Sequence, residues 1–149
     1  MKNEIVRILK IEINNLKNVK NGIITFKNFS YVKENHLLYD GDGLGVYGQN
    51  GSGKTTLVDA INIFKEIVSG KQLSENVCRL ISNDETFGLV EIMFYICSNG
   101  KKYIATYSAK LSKTETKESK ESVYLSKEKI TYSTLSNNKW KRTITLMDT

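Results

Sequence analysis

The octapeptide Gly48-Gln49-Asn50-Gly51-Ser52-Gly53-Lys54-Thr55 constrains this chain more than any other stretch. Its spacing, G-x-x-x-x-G-K-[ST], is that of a phosphate-binding loop. Its glycines let the backbone fold back so that successive N–H groups point inward at an anion. Lys54 can bring its ammonium to the terminal phosphates, and the Thr55 hydroxyl can take one Mg²⁺ coordination position. Leu44-Gly45-Val46-Tyr47 reads as a short buried strand that feeds the loop. Over residues 54–68 the period turns helical, with Leu57, Ile61, Phe64 and Val68 forming a stripe that Ala60 and Ile67 widen. That helix presents its positive dipole end to the same phosphates, and Gly70 stands where its C-terminal stop belongs. Strand, glycine loop and helix in this order predict that the chain binds a nucleoside triphosphate with Mg²⁺.

At 149 residues the chain suits one domain with a real core. Hydrophobic content of 40% and charged content of 26% are ordinary for a globular protein and argue against disorder. No apolar run approaches the ~20 residues that span a bilayer, so no membrane partner is expected. The N-terminus lacks the unbroken apolar core of a signal peptide. Cys78 and Cys97, far apart in sequence, read as reduced core thiols of a cytoplasmic protein rather than as a disulfide or metal pair. A net charge of +6 is compatible with a nucleic-acid partner and equally with a lysine-rich solvated surface.

Upstream of the loop, residues 5–13 alternate imperfectly around Ile5, Leu9, Ile11 and Ile13 and predict a first strand. Residues 14–22, rich in Asn and closing on Gly22, read as a loop. Ile23-Ile24-Thr25-Phe26 reads as a second strand, and Asp40-Gly41-Asp42-Gly43 as a tight turn. His36, the single histidine, is expected at the surface and excludes a histidine dyad. Residues 71–84 are ambiguous, with a short helix over 75–81 as the best reading.

Past residue 85 the character becomes all-β. Residues 86–97 and 102–111 alternate on either side of Ser98-Asn99-Gly100-Lys101, a strong hairpin signal. Residues 112–122 carry no apolar side chain and read as a long hairpin tip. Glu115, Glu118 and Glu121 dilute its lysines, so a solvated loop is preferred over a grip on a phosphate backbone. Residues 123–132 and 140–147 are two further strands around a turn at Ser136-Asn137-Asn138-Lys139. Tyr103, Tyr107, Tyr124, Tyr132 and Trp140 fall at strand spacing, which packing explains better than base stacking.

Several stretches together resemble the ABC-type ATPase heads of the SMC, RecF and OLD-like group, which includes DNA-repair heads and AAA-family ATPases of anti-phage systems. Ile11-Glu12-Ile13-Asn14-Asn15-Leu16-Lys17-Asn18-Val19 is similar to the group's opening segment, with Leu16 where an aromatic is usual. The loop with Asp59-Ala60-Ile61 behind it resembles the group's G-x-N-G-S-G-K-[ST] loop and its D-A-I helix. Val90-Glu91-Ile92-Met93-Phe94 and Lys102-Tyr103-Ile104-Ala105-Thr106-Tyr107 resemble the sheet such heads lay beside the nucleotide.

The resemblance implies an α/β P-loop NTPase fold, the N-terminal lobe of an ABC-type head with an antiparallel β-meander subdomain. The P-loop part would cover residues 1–85 and the meander residues 86–149. ATP and Mg²⁺ are the implied ligands. Asn50 would meet the γ-phosphate, and Gly51, Ser52, Gly53, Lys54, Thr55 and Thr56 would wrap the other phosphates and the metal. Gly48 and Gln49 complete the loop, with Gln49 in place of a frequent proline. Lys17, at the basic position of the opening motif, is implied to reach the phosphates.

No apolar run ends in the Asp-Glu pair that hydrolysis needs, and no L-S-G-G-Q-type signature occurs, so no catalytic residue is assigned. A P-loop alone binds well and hydrolyses poorly. The expectation is the ATP-binding lobe of a longer ATPase that works as a dimer of heads on a nucleic acid or an effector nuclease. The alternatives are a nucleotide-dependent regulatory module without turnover and a transport-type ABC subunit.

Overall fold

In the computed structural model, which describes residues 4–33, 43–115 and 121–149, the alternating stretches gather into a seven-stranded sheet in which every strand pair is antiparallel. Its strands are β1 (Ile5–Leu16), β2 (Val19–Thr25), β3 (Phe87–Ser98), β4 (Lys101–Glu115), β5 (Glu121–Ser136), β6 (Lys139–Trp140) and β7 (Ile144–Asp148). They run in the order β2-β1-β3-β4-β5-β6, with β7 also paired to β5. β1 pairs directly with β3 from Ile5↔Cys97 to Asn14↔Leu89, so the segments on either side of residue 85 share one sheet.

Each face of the sheet carries its own core. The main one is covered by α2 (Lys54–Val68), whose Leu57, Ala60 and Ile63 bury against Ile11, Ile13, Val90, Ile92 and Leu111. The observed stripe is rotated slightly from the expected one, because Thr56 joins it while Val68 stays exposed. Phe64 adds edge-on contact with Tyr107 at 5.2 Å. On the other face Leu9, Val32 and Tyr95 form a smaller cluster beneath α1 (Asn28–Lys33), a short helix that the residue pattern does not announce. Trp140 closes it, its indole N–H donating to the Val32 carbonyl at 3.2 Å.

One irregularity serves both cores. The register of β1 against β3 shifts between Ile8 and Lys10, leaving Leu9 as an extra residue. Ile8 and Ile11 therefore pack on the α2 side and Leu9 on the α1 side, which explains the imperfect alternation over residues 5–13.

Four expectations are corrected. Residues 14–22 are not a loop: β1 runs to Leu16, fully buried, and turns at once through Lys17-Asn18 into β2. Burying Leu16 outweighs the turn preference of the asparagines, and Asn15 keeps its φ of 57° inside the strand. Residues 44–47 form no strand, and Leu44, Val46 and Tyr47 are exposed, Tyr47 to 94%. A strand exists through its pairing, and among the described residues no strand pairs with this segment. Residues 140–147 are broken at Lys141-Arg142-Thr143, three polar residues with no side to bury, before β7 rejoins β5. The polar tip starts later than read, since β4 extends to Glu115 and β5 begins at Glu121, because ladder hydrogen bonds are indifferent to side-chain polarity.

The remaining readings are met only in part. The ambiguous stretch holds a 3-10 helix, Glu75–Leu80. Cys78 and Cys97 are not joined in a disulfide, and Cys78 is buried. Tyr107 and Trp140 are packing residues and Tyr103 lies against Tyr132 at 6.3 Å, while Tyr124 is exposed. His36, most of the 40–43 turn and residues 116–120 lie outside the described residues. Among the described residues no helix is long and apolar enough to cross a membrane.

Candidate functional site

The glycine loop reaches α2 through two left-handed residues, Gly51 at φ 84° and Gly53 at φ 89°, a region that any side chain would strain. Gly53 is also tight in space, since a Cβ there would lie 2.7 Å from Val19 Cγ2 of the β1–β2 hairpin. The loop is pinned at its centre by the same hairpin, where the Asn18 side-chain amide donates to the Gly51 carbonyl. Lys54 folds back across it, its ammonium donating to the Gly48 carbonyl at 2.6 Å, the Gln49 carbonyl at 2.7 Å and Ser52 Oγ at 3.3 Å.

Helix α2 then starts with no acidic residue in its first turn, so its dipole and unpaired N–H groups meet no internal counter-charge there. Thr55 is exposed at this end, whereas Thr56 is almost fully buried. The helix ends in a Schellman pattern, Gly70 N–H to the Ile67 carbonyl and Lys71 N–H to the Glu66 carbonyl.

Loop, helix start and hairpin tip enclose a cleft of about 420 Å³ lined by Lys17, Asn18, Asn50, Gly51, Gly53, Lys54, Thr55 and Thr56. The structure thus brings Lys17, Asn50, Gly51, Gly53, Lys54, Thr55 and Thr56 together around one space. Gly48, Gln49 and Ser52 are not among its lining and instead accept from the Lys54 ammonium. The lining is basic and rich in backbone N–H groups, which suits a polyphosphate.

Three residues without an assigned part in the sequence-based site are built into it. Asn18 holds the loop, Val19 packs behind Gly53, and Asp59 on α2 ion-pairs with Lys17 at 2.5 Å. All three stand in stretches that carry the family resemblance, but their roles go unread because each acts on a partner far away in sequence. Among the described residues no group of three or more His, Cys, Asp or Glu side chains could hold a metal ion. A Mg²⁺ here would take the exposed Thr55 hydroxyl together with phosphate and water oxygens, a donor set that suits this hard cation.

Residues 10–147 match a protein family described as an AAA domain. The chain belongs to that AAA family. No curated protein matches it. Membership of an AAA family points to nucleotide binding and ATPase chemistry, and the phosphate-suited cleft lies inside the matched span.

Proposed function

We propose that the cleft binds ATP with Mg²⁺, and that the chain is the ATP-binding lobe of an SMC/RecF/OLD-like ATPase. The observation that carries this is the Lys54 ammonium, held at the mouth of a left-handed glycine loop beside a helix N-terminus free of acidic residues. A triphosphate would replace the Gly48 and Gln49 carbonyls as acceptor of the Lys54 protons, exchanging neutral hydrogen bonds for charge-assisted ones. Asn50 would meet the γ-phosphate, the N–H groups of Gly51 to Thr56 the remaining oxygens, Lys17 the outer face, and the Thr55 hydroxyl the metal. When bound, Mg²⁺ neutralises phosphate charge, and the residues of this chain orient the phosphates around it.

In the cell this lobe would work in the cytoplasm as one of two paired heads, with ATP-dependent pairing coupled to DNA repair or anti-phage defence. The support is the resemblance carried by Asn50-Gly51-Ser52-Gly53 and Asp59-Ala60-Ile61, within AAA-family membership. The test is a MgATP titration of the purified chain and of Lys54→Ala. The loss of a charge-assisted phosphate contact predicts an affinity lower by about tenfold or more. Undiminished ATP affinity in Lys54→Ala would sink the site assignment.

A further inference from the structure

Lys17 stands in a conformation that its residue type does not favour. Its φ is +49° in a turn where glycine would be unstrained. Strained non-glycine residues persist where their surroundings over-determine them, and they cluster at functional sites. Here both backbone groups of Lys17 are held by the last residue of the 3-10 helix and by the segment that follows it. Lys17 N–H donates to the Leu80 carbonyl at 2.7 Å, and Ser82 Oγ donates to the Lys17 carbonyl at 2.6 Å. An isolated Leu16↔Ile81 bridge runs between them. Ser82 is braced in turn, since its own N–H donates to the Asn15 carbonyl at 3.0 Å and its carbonyl accepts from the Lys113 ammonium at 3.2 Å.

The side chain is held from the opposite direction. Lys17 Nζ meets Asp59 Oδ2 at 2.5 Å, and that buried oxygen has no other hydrogen-bond partner. Asp59 follows Thr55 by one helical turn, so the two share a face of α2. The carboxylate thus ties the ammonium to α2, one turn beyond Thr55, and Lys17 lines the cleft beside Thr55. An ammonium has three donors and the carboxylate oxygen occupies one, which leaves two for an incoming anion.

We infer that Asp59 and Ser82 are positioning residues that hold Lys17, side chain and backbone respectively, ready for the outer phosphate of the nucleotide. The inference rests on the cleft being the nucleotide site. Ser82 fixes a backbone angle that points the chain into the cleft, and Asp59 removes the rotamer freedom that a long side chain otherwise loses on binding. Asp59 also carries a negative charge near the phosphates, so its presence is understandable only if its hold on Lys17 outweighs that repulsion.

The test is a double-mutant cycle read by MgATP affinity, with thermal melts as the control for folding. Asp59→Asn is expected to weaken binding about fivefold, with Asp59→Glu recovering most of it. Ser82→Ala is expected to weaken it two- to threefold. In a Lys17→Ala background both effects should vanish, because neither residue touches the nucleotide. Asp59→Asn binding that is unchanged or tighter, or a loss that persists in Lys17→Ala, overturns the inference while leaving the Lys54 result standing. Undiminished affinity in Lys54→Ala removes the nucleotide site itself, and this inference with it.

Discussion

Two hairpins of the same sheet turn through two residues each, and they are built on opposite terms. The β3–β4 connection is Asn99-Gly100, with φ of 52° and 77°, residue types that reach the left-handed region cheaply. Nothing lies within 4 Å of a Cβ placed at Gly100, so local conformation alone selects the residue. The β1–β2 connection is Lys17-Asn18, in which a lysine takes φ of 49° and is held there by Leu80, Ser82 and Asp59. The first turn supports the fold by itself. The second is supported by the fold, and its side chains face the cleft.

Exchanging the two turns breaks the comparison most sharply. Grafting Asn-Gly onto the first hairpin, as Lys17→Asn with Asn18→Gly, should lower MgATP affinity about tenfold or more, because a charged contact and the amide that pins Gly51 go together. With Asp59→Asn added, so that no buried carboxylate is left without its cation, the same graft relieves strain and the melting temperature should hold or rise by a few degrees. A simple loss of stability alongside the loss of binding would erase the distinction drawn here.

The reverse change, Gly100→Asn, should cost about 0.5–1 kcal/mol or less from backbone strain alone. Its signature is a melting temperature lower by roughly 2–3 °C with unaltered nucleotide affinity. A fall in ATP binding would show that the far hairpin is not independent of the site.

The gentlest probe acts on the sheet body that both turns share, and below pH 10 it has no effect. Burial, reinforced by the neighbouring Cys97, pushes the Tyr95 phenol up to about 12 from 10.0. Burial and the hydrogen bond to Glu128 raise Tyr107 as well. Both phenols are favoured neutral in the folded state, so their contribution is fully present below pH 10. It is lost as pH rises toward 12 and beyond. Urea midpoints should hold between pH 8 and 9 and fall by pH 11.5, and Tyr95→Phe should flatten that decline.

The same contrast explains what was legible in the sequence. The Asn99-Gly100 turn, the strands beside it, the glycine loop and α2 are announced by local chemistry, and the structure places them where residue patterns put them. The β1–β2 turn is not announced, because Lys17 bends through contacts with residues 80–82 and with Asp59 that only the folded chain brings near. Residues 44–47 failed for the converse reason: their β-type composition is local, but a strand needs a neighbour. For the cleft, Gly48 to Thr56 form one contiguous motif, whereas Asn18, Asp59 and Ser82 act at a distance, so their parts could not be read even where a motif includes them.

The bulge at Leu9 has a consequence of another kind. Ile8 pairs with Phe94 and Lys10 with Met93, consecutive partners on β3, so Leu9 has no counterpart across the ladder. Deleting its single codon would leave every pairing of β1 with β3 in place. What would go is the peg beneath α1 and the Leu9 carbonyl that accepts from Phe26 at 2.9 Å. One in-frame deletion would therefore take the central peg from one face of the sheet, while the face that carries the cleft keeps its register.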